Sequence, residues 1–147
     1  MEEKTPGTEK TKLTMENKVL LYVTEQELAL SLQGFMRQPL PALARLDLTR
    51  VIKTILETAH ILAETKIELF KKYGAEEKDG MYSLKKTSKN WDEFEKEYIL
   101  LENRTFELPL TEKVAITAKL FYIGSHIDLM MDGVAAYVLE GVIDIQR

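Results

Sequence analysis

The chain has 147 residues, 45% of them hydrophobic and 30% charged, which fits one globular domain and excludes a disordered polymer. Its formal net charge of −4 argues against a nucleic-acid surface, which selects clustered Lys and Arg, and the basic group Lys85, Lys86 and Lys89 reads as a solvated loop. The absence of cysteine rules out disulfides and thiolate zinc sites, no apolar run reaches the ~18 residues that span a bilayer, and the first residues lack the apolar core of a secretory signal.

Residues 1–12 are polar, contain Pro6 and Gly7, and show no periodicity; they read as a flexible arm ahead of a single domain over residues 13–147. Residues 18–23, Lys-Val-Leu-Leu-Tyr-Val, are apolar and β-branched, which predicts a short strand. Thr24 with Glu27 three positions later is a capping box, so a helix is expected over residues 25–36, with Leu28, Leu32, Phe35 and Met36 on its apolar face. Pro39 and Pro41 break it and hold Gln38 and Leu40 extended.

The dominant signal is a long helix over residues 46–74. Leu48, Ile52, Ile55, Ala59, Leu62, Lys66, Leu69 and Tyr73 alternate at steps of three and four, the seam of one helix packed along another. Asp47 is the expected N-cap, residues 42–46 a lead-in turn, and Gly74 the stop, with Lys71 and Lys72 favoured by the dipole of the last turn. Asp79-Gly80 marks the turn of a short hairpin and lacks the alternating acidic ligands of a calcium loop.

Asn90 with Glu93 forms a second capping box, and the helix after it carries Trp91, Phe94, Tyr98 and Leu101 on one stripe. That stripe needs an apolar partner, so the two helices are expected to run antiparallel as a hairpin, with the aromatics as core. Residues 105–110 alternate as an edge strand that includes Pro109, and their expected partner is the strand at 18–23. Beyond Thr111, Val114, Ala118, Phe121 and Tyr122 fit a helix ending near Gly124. Residues 127–131 and 134–139 fit further helical pieces broken around Asp132-Gly133. The expected fold is thus α+β, mainly α: a long antiparallel helical hairpin, a small two-stranded β element and C-terminal helices.

Candidate chemistry is thin. Glu57 and His60 have the Glu-x-x-His spacing of di-metal bundles, but the motif occurs once, and Glu57, His60 and Glu64 lie opposite the apolar seam. His126 with Asp128 and Asp132 could serve acid–base work, yet no nucleophile motif or phosphate cradle accompanies them. Lys66 on the seam either lays its stem over apolar surface or pairs with Glu97 or Glu102; the first reading is preferred, since a buried ion pair has little net benefit. No catalytic residue, metal site or cofactor is expected. The apolar C-terminal region is either core or a subunit contact, and its candidate partner-binding residues are Phe121, Tyr122, Met130, Met131 and Tyr137.

Several motifs occur together: Leu32-Gln33, then Gln38-Pro39-Leu40-Pro41-Ala42, a helix ending Glu68-Leu69-Phe70-Lys71-Lys72-Tyr73-Gly74, the Asp79-Gly80 turn, Asn90-Trp91 with Phe94 and Glu97, and Phe106-Glu107-Leu108. Over residues 32–110 this pattern resembles a family of small tailed-bacteriophage proteins. The resemblance, taken with the missing site chemistry, implies a non-enzymatic phage protein, located in the virion or the host cytoplasm, that works through protein contacts. A virion component or assembly factor is the first expectation; an inhibitor of a host defence or transcription enzyme is the alternative. The expected partner is a phage structural or host protein, with self-association a further expectation and neither nucleic acid nor membrane.

Overall fold

In the computed structural model, residues 11–147 are described. The elements in order are β1 (Thr14–Glu16), α1 (Lys18–Leu21), α2 (Glu25–Met36), α3 (Ala42–Lys72), β2 (Glu76–Lys78), β3 (Met81–Ser83), α4 (Trp91–Asn103), β4 (Thr105–Glu107), β5 (Val114–Thr117), β6 (Lys119–Tyr122), β7 (Ser125–Asp128), α5 (Gly133–Leu139) and β8 (Ile143–Gln146). The fold is α+β and mainly α. Of the expected arm, residues 1–10 lie outside the described part.

α2 begins where its capping box places it: the Thr24 hydroxyl accepts the Glu27 amide at 3.1 Å. Arg45 closes the other end, its guanidinium donating to the carbonyl of Met36 at 2.8 Å. α3 starts earlier than expected. Pro41, extended at φ −55°, precedes Ala42, so Asp47 lies inside the helix and caps nothing. Its far end is a Schellman stop: Gly74 at φ +73° donates to Lys71 O at 3.1 Å, and Ala75 donates to Phe70 O at 3.0 Å.

Leu48, Val51, Ile55, Ala59 and Leu62 of α3 are buried. α3 packs against α1, α2 and β5, and the core also takes in Leu28, Leu32 and Phe35 of α2 and Val138 and Leu139 of α5. Beyond Leu62, α3 carries β3 and α4. Phe94, 5% exposed, is the one buried residue of α4; its ring lies 4.9 Å from Phe70 and 6.1 Å from Tyr73, with Trp91 and Tyr98 each at 5.6 Å. Asn90 does not cap α4. Its backbone holds the N-cap position in a helical conformation, but its side-chain amide donates to Tyr73 O at 3.0 Å, tying the end of α3 to the start of α4.

Four two-stranded sheets form among the described residues. The strand expected at 18–23 is a helical turn. Leu20 and Leu21 are both buried, which a strand with one face in water could not achieve because successive side chains face opposite ways. Asn17 holds this turn, its amide nitrogen donating to Leu101 O at 3.0 Å while its carbonyl accepts from Leu20 at 2.9 Å. β4 therefore pairs with β1, Met15 opposite Phe106. β2 and β3 form the expected hairpin, with Asp79 at φ +54° and Gly80 at φ +79° in its turn.

The C-terminal helix expected over residues 114–124 is absent. Val114 and Ile116 are buried while Ala115 and Thr117 are exposed, a period of two that the spacing of Val114 and Ala118 disguises as helical. β5 runs parallel to β8, Val114 opposite Ile143, and β6 pairs antiparallel with β7, Phe121 opposite His126. Ala118 joins the two ladders: its amide donates to Gln146 O at 2.9 Å and its carbonyl accepts from Leu129 at 2.8 Å. Residues 127–131, also expected helical, finish β7 and lead into α5. There Asp132 caps the helix through the Ala135 amide at 2.8 Å.

Candidate interaction surface

β6, the turn Ile123-Gly124 and β7 make a two-stranded ribbon whose burial is confined to Leu120 near its base. Phe121 (63% exposed) and His126 lie opposite each other and pack edge to face at 5.7 Å. Lys119 and Asp128, the next pair on that face, form an ion pair. Ile123, at φ +44°, and Gly124, at φ +76°, form a two-residue turn with both central residues in the left-handed region, the type I′ arrangement of tight hairpins. Asn, Asp or Gly suits the first of these positions; a β-branched residue there costs roughly 1–2 kcal/mol. The β2–β3 turn places Asp79 there, whereas this one places Ile123, which is 82% exposed.

At the foot of the ribbon, Gln38 clasps the backbone of Met130. Its side-chain oxygen accepts the Met130 amide at 2.6 Å and its nitrogen donates to Met130 O at 2.8 Å, leaving the Met130 side chain 68% exposed. Of the residues expected to bind a partner, Phe121, Tyr122 and Met130 thus fall on or beside the ribbon. Met131 is half-buried and packs against the core. Tyr137 lies elsewhere, in a groove of about 680 Å³ lined also by Met15, Val19, Asn103 and Leu108. Ile123 and Ile127 belong to the ribbon surface and were not singled out in the sequence. The available signal was Gly124 after Ile123, a two-residue turn between apolar runs.

The histidine clusters serve other ends. His60 is exposed, with Glu25 Oε2 at 3.0 Å from Nδ1 and Glu64 Oε1 at 2.8 Å from Nε2. Two carboxylates on two different ring nitrogens favour the imidazolium, in which both nitrogens donate, and the hydrogen bond to Glu25, with its charge and that of Glu64, raises the His60 pKa. The carboxylates face opposite sides of the ring and do not converge on a point. Among the described residues no group of three or more His, Asp or Glu side chains is placed to hold a metal ion. His126, Asp128 and Asp132 are likewise engaged separately. His126 packs on Phe121, Asp128 holds Lys119, and Asp132 accepts from Ala135 and from the buried Ser31 hydroxyl, which together lower its pKa.

Lys66 borders a groove with Leu62, Ile67, Phe70 and Tyr82, which agrees with a stem lying over apolar surface. Its two candidate partners are engaged elsewhere: Glu97 pairs with Lys72 at 2.7 Å, and Glu102 accepts the Tyr22 hydroxyl, pushing that phenol up to about 12. No helix among the described residues is long and apolar enough to cross a membrane. Comparison with protein-family models, curated proteins and solved structures returns no match.

Proposed function

We propose that this chain acts by protein–protein contact through the β6–β7 ribbon, as a component or assembly factor of a tailed-phage particle. The observation that carries the contact reading is Ile123, an apolar residue held in an unfavourable backbone conformation where it packs on little of its own chain. Strain of this kind persists where the surrounding structure over-determines it, and it clusters at functional sites. Phe121, Tyr122, Ile127 and Met130 extend the exposed apolar surface around it.

The phage assignment rests on the motif pattern over residues 32–110. In this reading α3 and α4 form the antiparallel helical hairpin of that family and act as a stiff base. The packing of Phe94 on Phe70 and the Lys72–Glu97 ion pair support it. The chain then works in the virion, or in the host cytoplasm where particles assemble. Mass spectrometry of purified particles and of assembly intermediates tests the reading. The chain is expected in one or both, and its absence from all of them refutes the assignment.

A further inference from the structure

β7 is an edge strand. It pairs with β6 on one side, and all four of its residues are exposed. In an antiparallel ladder, residues alternate between bonding inward and pointing their backbone groups outward. Leu129 bonds inward to Ala118, and Ser125 faces Tyr122 across the two-residue turn. By alternation Ile127 bonds inward as well, so the N–H and C=O of His126 and Asp128 point away from β6. Among the described residues these outward groups have no partner.

We propose that this edge pairs with the same edge of a second copy of the chain, antiparallel across a two-fold axis at Ile127. The sequence of β7 is complementary to itself in that register. His126 of each copy lies opposite Asp128 of the other, exchanging two backbone hydrogen bonds and setting an imidazole beside a carboxylate, twice over. Ile127 meets Ile127 at a non-hydrogen-bonded position, where cross-strand side chains approach most closely. The backbone ladder ends at Leu129, because Gln38 already engages the N–H and C=O of Met130, and the same register brings the Ile123-Gly124 turn of one copy beside Met130 of the other. The strained tip of each ribbon then lies next to the exposed, adaptable Met130 side chain at the foot of the other. Ile123, Ile127 and Met130 thereby acquire one common occupant.

The other hairpin of the chain shows the contrast. Its strand β2 reads Glu76-Glu77-Lys78, and the same two-fold operation would set Glu77 against Glu77. That edge sets like charges together at its axis, with Glu76 and Lys78 pairing on either side of them. The β7 edge has no such guard, since its single formal charge, Asp128, meets His126 and is held by Lys119 of its own chain.

The inference rests on the ribbon being a contact surface and adds what the ribbon contacts. A short strand-to-strand interface is small, so the expected association is reversible, over roughly 10 µM to 1 mM. Sedimentation equilibrium or light scattering across that range should show a monomer–dimer transition. His126→Pro deletes an N–H that the single chain does not use, and should weaken the dimer about tenfold or more while leaving circular dichroism unchanged. Ile127→Cys gives an independent reading that needs no loss of function. The natural chain has no cysteine, and facing residues at a non-hydrogen-bonded position have Cα atoms about 4.5 Å apart, within the disulfide range. Mild oxidation should link Ile127→Cys into dimers at least about tenfold faster than Met81→Cys, at a more exposed strand position that the proposal leaves free.

A chain that stays monomeric throughout overturns the pairing, as does a dimer that tolerates His126→Pro or an Ile127→Cys variant that cross-links no faster than the control. None of those outcomes bears on whether the chain is found in particles, so the wider reading fails or survives on its own test.

Discussion

Replacing Ile123 with Asn should stabilise the fold and weaken association at once. Asn enters the left-handed region far more readily than a β-branched residue, so the substitution should recover about 1–2 kcal/mol of backbone strain. Ile123 is 82% exposed, so it buries under a fifth of its surface, and the packing lost is only about 0.5 kcal/mol on a scale of ~1.5–3 kcal/mol for a fully buried aliphatic side chain. The net gain is about 1 kcal/mol, equivalent for a domain of this length to a rise of roughly 3 °C in Tm. Differential scanning calorimetry reads the first effect, and sedimentation or partner capture the second. Asp79→Ile, at the matching position of the β2–β3 turn, should lower Tm by a similar amount, because it creates the strain that Ile123→Asn removes. A fall in Tm for Ile123→Asn refutes the strain argument. A rise in Tm with association unchanged refutes the link between strain and contact.

Phe94→Ala should cost about 3–4 kcal/mol in urea unfolding, because Phe94 is buried among four aromatic rings; a loss below about 1 kcal/mol would mean that α4 is not fixed by that cluster. Asn17→Ala should cost about 1–2 kcal/mol by leaving the Leu101 carbonyl without its donor, and hydrogen exchange should quicken first in α1; uniform quickening across the fold would contradict that local role. His60 has its folded pKa raised above its unfolded value of about 6.5, chiefly by the hydrogen bond to Glu25. The stability it adds is therefore fully present below that value and is lost as pH rises through the folded pKa. The Tm difference between the natural chain and His60→Gln should shrink as pH rises across that window, and a difference that grows with pH would show the sign to be wrong.

The elements legible in the sequence are those fixed by local signals. Thr24, Gly74 and Asp79-Gly80 each satisfy a nearby backbone need, and α2, the end of α3 and the β2–β3 hairpin fall where those residues put them. Asn90 shows the limit of the same logic: its side chain bonds to Tyr73, distant in sequence, and its capping pattern is spent on that contact. The apolar runs at 18–23 and 114–122 are too short for periodicity to separate helix from strand. What decides them lies far along the chain, in Leu101 and Arg104 for the first and in β8 for the second. Phe121, Tyr122 and Met130 were recognisable as apolar residues without an evident core partner. The ribbon that displays them was not, because its parent strand changes neighbours at Ala118.

That change of neighbours makes the outer surface a matter of counting. β5 is anchored by its parallel partner, so the facing of every side chain in β6 depends on an odd or even number of residues after that anchor. One residue inserted at Ala118 would leave the anchor intact and invert the ribbon, turning Leu120 to water and Phe121 toward the core. A change of length at the ribbon's tip leaves that facing untouched, whereas at this joint only a change of two residues preserves it.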